Sequence, residues 1–143
     1  MKIQIVHPPA ANANSPPRIL VIEDEPETRK LLALVFRGKG FEVETAATGE
    51  DGLRAVNEMN FALILSDIDL PGIDGFEICR RIKQNPTLRS TPIILMSGRL
   101  LETTEPLAFQ HGAADYLSKP FKTAAVLSKV LAHISPVNPS TAL

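Results

Sequence analysis

Three short, nearly continuous apolar runs are separated by longer segments in which apolar residues recur every three or four positions. The runs are ILVI at 19–22, ALIL at 62–65 and PIILM at 92–96. Runs of this length and composition are typical of strands whose two faces are both covered by other elements. Weaker strands are predicted at 42–46 and 115–118, and we expect these at or near the edges of the sheet.

Helical patterns fall between the predicted strands. Pro26 is a good first-turn residue, and Thr48 and Thr123 can each cap a following helix through a side-chain oxygen. These three residues begin predicted helices at 26–37, 49–59 and 123–134. Asp74 can cap a further helix predicted at 74–84.

The remaining helix is the least regular because it contains a proline. Proline has no backbone N–H and clashes with the preceding turn, so Pro106 is not expected in a helix interior. We therefore predict that this helix begins near Thr104 or Glu105 and ends before Gly112. Five strands then alternate with five helices, which predicts an α/β fold with a parallel sheet and helices on both faces.

Composition adds limits to this prediction. The chain has 143 residues and a formal net charge of −1, so it lacks the basic field that favours direct binding to nucleic acid or an anionic membrane. Cys79 is the only cysteine, and no apolar run is long enough for a secretory signal or a bilayer span. We predict a cytoplasmic protein with one domain at 18–134, a disordered N-terminal tail at 1–17 and a disordered C-terminal tail at 135–143.

Polar residues with chemical potential follow four of the five predicted strands. Glu23 and Asp24 follow the first strand, Asp67 ends the third, Ser97 ends the fourth and Lys119 ends the fifth. In open parallel sheets, sites lie beyond the carboxyl ends of the strands. The topology therefore predicts that these side chains meet at one rim of the sheet.

The residue types at this rim suit phosphoryl transfer. Carboxylates are preferred ligands of Mg²⁺, which commonly uses one or two of them with water and phosphate oxygens. An ammonium and a hydroxyl can neutralise and bind the oxygens of a transferring phosphoryl group. One carboxylate would act as the nucleophile and form an acyl phosphate.

Four motifs carry a family resemblance, in order and in spacing. The chain resembles the receiver domains of two-component response regulators in ILVIEDEP, LILSDIDLPGIDGFE, PIILMSG and GAADYLSKPF. The resemblance implies a flavodoxin-like, doubly wound, five-stranded parallel sheet with strand order 2-1-3-4-5.

The resemblance also implies a metal site and an acceptor. Asp67 would accept a phosphoryl group from a phosphohistidine. Asp24 would bind Mg²⁺ directly, and Glu23 more readily through water, since a glutamate replaces the commoner aspartate. The backbone carbonyl of Asp69 would complete the protein ligands.

Further roles follow from the same resemblance. Lys119 would pair with the phosphoryl oxygens, and the Lys119–Pro120 bond would be cis. Ser97 would turn its hydroxyl toward the phosphoryl group, and Tyr116 would swing inward when it does. Asp69 is an additional carboxylate, and we expect Arg99 to reach it and to tune the access of water to the phosphoryl group.

The function implied is a stand-alone, chemotaxis-type receiver that works as a switch and not as an enzyme, apart from its own phosphorylation and dephosphorylation. A sensor histidine kinase or a histidine phosphotransfer protein would dock around the first helix, where Ala33, Leu34 and Arg37 are expected to be partly exposed. Output would be contact with another protein near Tyr116, and a homodimer is compatible with this arrangement.

Two alternatives remain open. Asp67 and Asp69 also form Asp-x-Asp, the pattern of haloacid-dehalogenase-type phosphohydrolases, in which the first aspartate is the nucleophile and the second the acid/base. That pattern normally lies on the first strand of a larger domain, whereas here it lies on the third. The other alternative is a receiver fold that serves only as a binding module, which the full set of acids, Ser97 and Lys119 disfavours.

Other polar or reactive residues have simpler interpretations. Asp74 is expected to cap a helix, and Cys79 to lie in the core. His7 and His111 are expected to be exposed, and His133 to lie on a solvated helix face.

Overall fold

In a computed structural model of the chain, residues 15–136 are described. The predicted disordered tails fall mostly on 1–14 and 137–143, which lie outside the described residues. None of the helices in the described part is long and apolar enough to cross a membrane.

One parallel sheet of five strands forms the centre of the fold. In space the strands lie in the order β2-β1-β3-β4-β5, which confirms the predicted order 2-1-3-4-5 and the flavodoxin-like α/β class. The two weaker strands occupy the edges as predicted. In chain order the strands are β1 (Arg18–Ile22), β2 (Glu42–Ala46), β3 (Leu63–Asp67), β4 (Ile93–Ser97) and β5 (Asp115–Ser118).

Helices cover both faces of this sheet, as a buried parallel sheet requires. They are α1 (Pro26–Gly38), α2 (Gly49–Glu58), α3 (Gly75–Gln84), α4 (Leu101–Gln110) and α5 (Thr123–Leu131). Apolar residues of α1 and α5, such as Phe36 and Val126, form one core cluster with the sheet. Residues of α2, α3 and α4, such as Val56, Ile78 and Ala108, form the cluster on the opposite face.

Two of the predicted helix caps are present and one is not. The Asp51 amide donates to the Thr48 hydroxyl at 3.1 Å, and the Glu77 amide donates to the Asp74 carboxylate at 2.9 Å. The prediction for Thr123 is wrong, because the chain enters α5 one residue earlier. Lys122 is the extended residue before the helix, so Thr123 already lies within the first turn.

The prediction for α4 is also wrong, since the helix begins at Leu101 and contains Pro106 in its interior. Proline removes one helical hydrogen bond, the one to the carbonyl of Glu102. Bonds on either side persist, from the Thr104 amide to the Leu100 carbonyl and from the His111 amide to the Leu107 carbonyl, each at 3.0 Å. The loss of one bond therefore does not end this helix.

Among the described residues, burial follows the predictions with two exceptions, and the prediction for His7 lies outside the described residues. Cys79 is fully buried, as expected, and burial raises the pKa of its thiol to about 11. Ala33 is buried, which corrects the expected exposure, whereas Leu34 is exposed. His111 is only partly exposed because its ring stacks on Phe76.

Candidate functional site

The polar residues singled out at the strand ends lie together at one rim of the sheet. Glu23 follows β1, Asp67 ends β3 and Ser97 ends β4. Lys119 follows β5, and its amide donates to the Ser97 carbonyl at 2.8 Å. The strands are parallel and in register, so their carboxyl ends bring these side chains to a common pocket.

Lys119 links the two buried carboxylates of this pocket. Its Nζ lies 2.6 Å from Glu23 Oε1 and 2.8 Å from Asp67 Oδ2. The Glu23 and Asp67 side chains are only 1% and 7% exposed, while that of Lys119 is 26% exposed. The Lys119–Pro120 bond is cis, in keeping with the family resemblance.

Burial and charge act in different directions on the ionisation of these groups. Burial raises the pKa of Glu23 above its usual value, and the hydrogen bonds from Lys119 and from the Glu25 amide oppose this shift without overcoming it. Burial alone would lower the pKa of Lys119, but the hydrogen bonds to Asp67 and Glu23 outweigh it and raise this pKa. The ammonium is therefore firmly charged, and it lies between two acids that compete for it.

Three carboxylates can converge on one ion. Glu23, Asp24 and Asp67 each offer an oxygen, and these oxygens lie within 4.8 Å of one another. Three hard oxygen donors at this spacing fit Mg²⁺. The Asp69 amide donates to Asp67 Oδ1 at 3.1 Å, so the main chain of Asp69 lies beside the same cluster.

A close approach of α3 fixes the end of β3. Gly75 is the first residue of α3, and its amide donates to the Ile68 carbonyl at 2.9 Å. A Cβ at Gly75 would lie 2.5 Å from the carbonyl oxygen of Asp67, closer than atoms can approach. Glycine at this position therefore allows the helix to pack against the backbone that presents Asp67.

Ser97 is engaged by Asp69 in this structure. The Ser97 hydroxyl donates to Asp69 Oδ2 at 2.7 Å, and it accepts a hydrogen bond from the Arg99 amide at 3.0 Å. Arg99 Nε donates to Asp69 Oδ1 at 2.6 Å. The predicted contact between Arg99 and Asp69 is thus present, whereas the bond from Ser97 to Asp69 was not predicted.

Tyr116 points into the fold beside the same serine. It is 2% exposed, and its hydroxyl donates to the Ser97 carbonyl at 3.4 Å. Burial raises the pKa of the phenol. The ring is therefore in the inward position in this structure.

Phe76 makes two further contacts that the sequence analysis did not predict, with Arg99 and with His111. The guanidinium of Arg99 lies 5.8 Å from the centroid of its ring, within the range of a cation–π contact. The His111 ring stacks on Phe76 with centroids 4.4 Å apart. Phe76 lies on the apolar stripe of α3, so the sequence pattern indicated only core packing.

Comparison with known proteins assigns this geometry to one family. The family model for the response regulator receiver domain matches residues 19–131. The transcriptional regulatory protein AfsQ1 of Streptomyces coelicolor is 40% identical over 116 residues, which are 81% of this chain and 50% of AfsQ1. The chain spans about half the length of the curated relatives it matches.

Solved structures agree with this comparison. A putative response regulator from Chloroflexus aurantiacus superposes with a TM-score of 0.79 at 33% identity, covering 82% of this chain and 97% of that chain. The receiver domain of the sensor histidine kinase PA1611 from Pseudomonas aeruginosa gives a TM-score of 0.76 at 29% identity, covering 83% of this chain and 98% of that chain. That structure holds a magnesium ion coordinated in its active-site cleft.

Proposed function

Because the chain belongs to the response regulator receiver domain family, we propose that it accepts a phosphoryl group on Asp67 from a phosphohistidine and signals by contact with another protein. The observation that carries this proposal is the position of Lys119 Nζ, which contacts Asp67, 52 positions earlier in the chain, and Glu23, 96 positions earlier. A cation held against a nearly buried carboxylate is suited to neutralise the charge of an incoming phosphoryl group.

Apart from the phosphohistidine donor and a metal ion, the reaction requires only groups present at this rim. A carboxylate oxygen of Asp67 attacks phosphorus, an O–P bond forms, and the N–P bond to the donor histidine breaks. The leaving imidazole takes the electron pair of that bond. Lys119 then pairs with the phosphoryl oxygens, and the hydroxyl of Ser97 binds one of them.

The acids at the rim would hold the metal that this reaction uses. Asp24 and Asp67 would bind Mg²⁺ through their carboxylates, Glu23 through an intervening water, and Asp69 through its backbone carbonyl. When bound, Mg²⁺ supplies charge neutralisation at the phosphoryl oxygens. The fit rests on the convergence of three carboxylate oxygens within 4.8 Å.

Two surfaces are suited to bind the phosphodonor protein and the output protein. A histidine kinase or phosphotransfer protein would dock beside the pocket on α1, where the Leu34 side chain is 70% exposed. The output surface would comprise α4, β5 and α5, where Leu101 and Phe109 are exposed and Tyr116 lies beneath. The first relatives are named as transcriptional or DNA-binding regulators, and this chain matches about half of each.

A phosphohydrolase is the alternative function that the Asp-x-Asp spacing of Asp67 and Asp69 suggests. The geometry disfavours it, since both oxygens of the Asp69 carboxylate are bonded to Ser97 and Arg99. A turnover assay with an added phosphomonoester separates the two. Catalytic turnover supports the hydrolase, whereas stoichiometric labelling supports the switch.

The direct test is labelling with acetyl phosphate in the presence of Mg²⁺, followed by intact-mass measurement. We expect one phosphoryl group on the parent chain, none on Asp67→Asn, and none on the parent when a chelator removes the metal. Asp74→Asn is the matched control, since asparagine caps a helix about as well as aspartate. An unlabelled parent, or an Asp67→Asn variant labelled like the parent, would refute the proposal.

A further inference from the structure

The hydroxyl of Ser97 has no free proton to donate toward the pocket in this structure. A serine hydroxyl has a single proton to donate. Ser97 gives that proton to Asp69 Oδ2 at 2.7 Å, while its oxygen accepts from the Arg99 amide at 3.0 Å. The proton that the proposed function assigns to a phosphoryl oxygen is therefore already used by an internal carboxylate.

We propose that the Asp69 carboxylate competes with the phosphoryl group on Asp67 for the Ser97 proton, and that Arg99 positions Asp69 for this competition. The inference rests on the proposed acceptance of phosphate at Asp67. It gives Asp69 a side-chain role besides the predicted role of its backbone carbonyl as a metal ligand. Asp69 and Arg99 are positioning residues here, because they act through Ser97.

The two carboxylate oxygens of Asp69 accept hydrogen bonds from different residues. Oδ2 accepts from Ser97, and Oδ1 accepts from Arg99 Nε at 2.6 Å. The guanidinium of Arg99 is braced in turn by the ring of Phe76, 5.8 Å from the ring centroid. Arg99 thus holds the carboxylate with its second oxygen directed at the serine.

Exposure makes the competition reversible. The side chains of Asp69 and Arg99 are 42% and 48% exposed. A carboxylate that loses the serine donor can replace it with water at small cost, because it is already partly hydrated. A buried carboxylate in this place would resist release and would prevent the switch, whereas an exposed one only weakens it.

The closing experiment titrates beryllofluoride, a phosphoryl mimic, into the full chain with Mg²⁺. The readout is the fluorescence of Tyr116, the only tyrosine in a chain that has no tryptophan. For Asp69→Ala we expect half-saturation at a concentration about threefold to tenfold lower than for the parent, because the mimic no longer competes for the serine proton.

A double-mutant cycle separates this competition from simple charge repulsion between Asp69 and the anionic mimic. In a Ser97→Ala background the hydroxyl is absent, so Asp69→Ala should change the half-saturation concentration by less than about twofold. An equal gain in both backgrounds would overturn the proposal in favour of repulsion. No gain in the serine background would overturn it as well.

Arg99→Ala tests the positioning role and should shift half-saturation in the same direction as Asp69→Ala, but less. Arg54→Ala is its matched control, since it breaks an exposed arginine–aspartate pair on α2 at 2.9 Å. An equal shift in the control would contradict the role of Arg99. A parent chain that does not respond to the mimic and resembles Asp67→Asn would refute the proposed function itself, a result distinct from a responding parent without the Asp69 effect.

Discussion

Two contacts between a cation and carboxylates lie at the same rim of the sheet and differ in their surroundings. Lys119 joins Glu23 and Asp67, whose side chains are 1% and 7% exposed. Arg99 joins Asp69, and both of those side chains are more than 40% exposed. The distances between the charged atoms are similar, so the two contacts differ mainly in how far water reaches their side chains.

This difference separates a fixed part of the site from an adjustable one. In the buried contact, removal of one partner leaves charge that neither water nor protein compensates fully. In the exposed contact, water replaces a lost partner, and the pair contributes little to stability. We therefore propose that the buried contact serves the acceptor chemistry and that the exposed contact modulates it.

The largest effect is expected for Lys119→Met, which removes the ammonium but keeps most of the side-chain volume. Glu23 and Asp67 then face each other without a cation, and we expect the free energy of unfolding to fall by about 2–4 kcal/mol without metal. Mg²⁺ should stabilise this variant more than the parent, because the same carboxylates would bind it. Urea unfolding with and without Mg²⁺ measures both effects.

Arg99→Met is the matched comparison for that experiment. Its free energy of unfolding should change by no more than about 1 kcal/mol, as for other exposed pairs. Equal losses for the two variants would show that burial does not distinguish the contacts.

A smaller effect of opposite sign is expected for Glu23→Gln. Burial raises the pKa of Glu23, which means that the fold disfavours its charged form. The neutral amide should therefore raise the free energy of unfolding without metal, while Mg²⁺ affinity falls about tenfold. Denaturant unfolding and metal titration check the two halves, and a loss of both stability and affinity would contradict this account.

The exposed contact should act on the lifetime of the phosphorylated form more than on stability. Charge reversal in Arg99→Glu removes the partner of Asp69, and we expect the dephosphorylation rate to change by about tenfold, equivalent to about 1.4 kcal/mol in the barrier. The rate is measured as the loss of the phosphoryl group from the labelled protein after acetyl phosphate has been removed. An unchanged rate would remove Arg99 from the control of water access.

The smallest effect concerns Glu77, an acid on the surface of α3. Hydrogen bonds from Arg80 and Arg81 lower its pKa from 4.5 to about 2. A depressed carboxyl pKa contributes stability that is present above pH 4.5 and is lost as the pH falls toward 2. The parent should lose slightly more stability over this range than Glu77→Gln, and equal acid profiles by thermal unfolding would show that the exposed pairs have no measurable effect.

Much of the fold follows from local patterns in the sequence. The buried strands β1, β3 and β4 were predictable because both faces are covered, which leaves nearly continuous apolar runs. The helix caps at Thr48 and Asp74 were predictable because each depends on one side chain and an amide three residues away. The convergence of Asp67 and Lys119 followed from topology, since parallel strands bring their carboxyl ends to one rim.

What the sequence did not reveal depends on side-chain geometry in loops or on small differences in free energy. The bond from Ser97 to Asp69 joins residues 28 positions apart and depends on the side-chain conformations of both. Arg99 and His111 both contact the ring of Phe76, and the three residues come from different parts of the chain. No periodic pattern in the sequence indicates such contacts. The predicted start of α4 was wrong because the helix tolerates the loss of the one hydrogen bond that Pro106 removes.

That proline has a mechanical consequence for the surface around it. Without an amide at position 106, the carbonyl of Glu102 lacks its helical donor, and a proline inside a helix is a position where helices commonly bend. Leu101 and Phe109 lie on opposite sides of this turn, and both are exposed. We therefore expect that a protein that contacts both residues would respond to a change in the angle between the two halves of this helix.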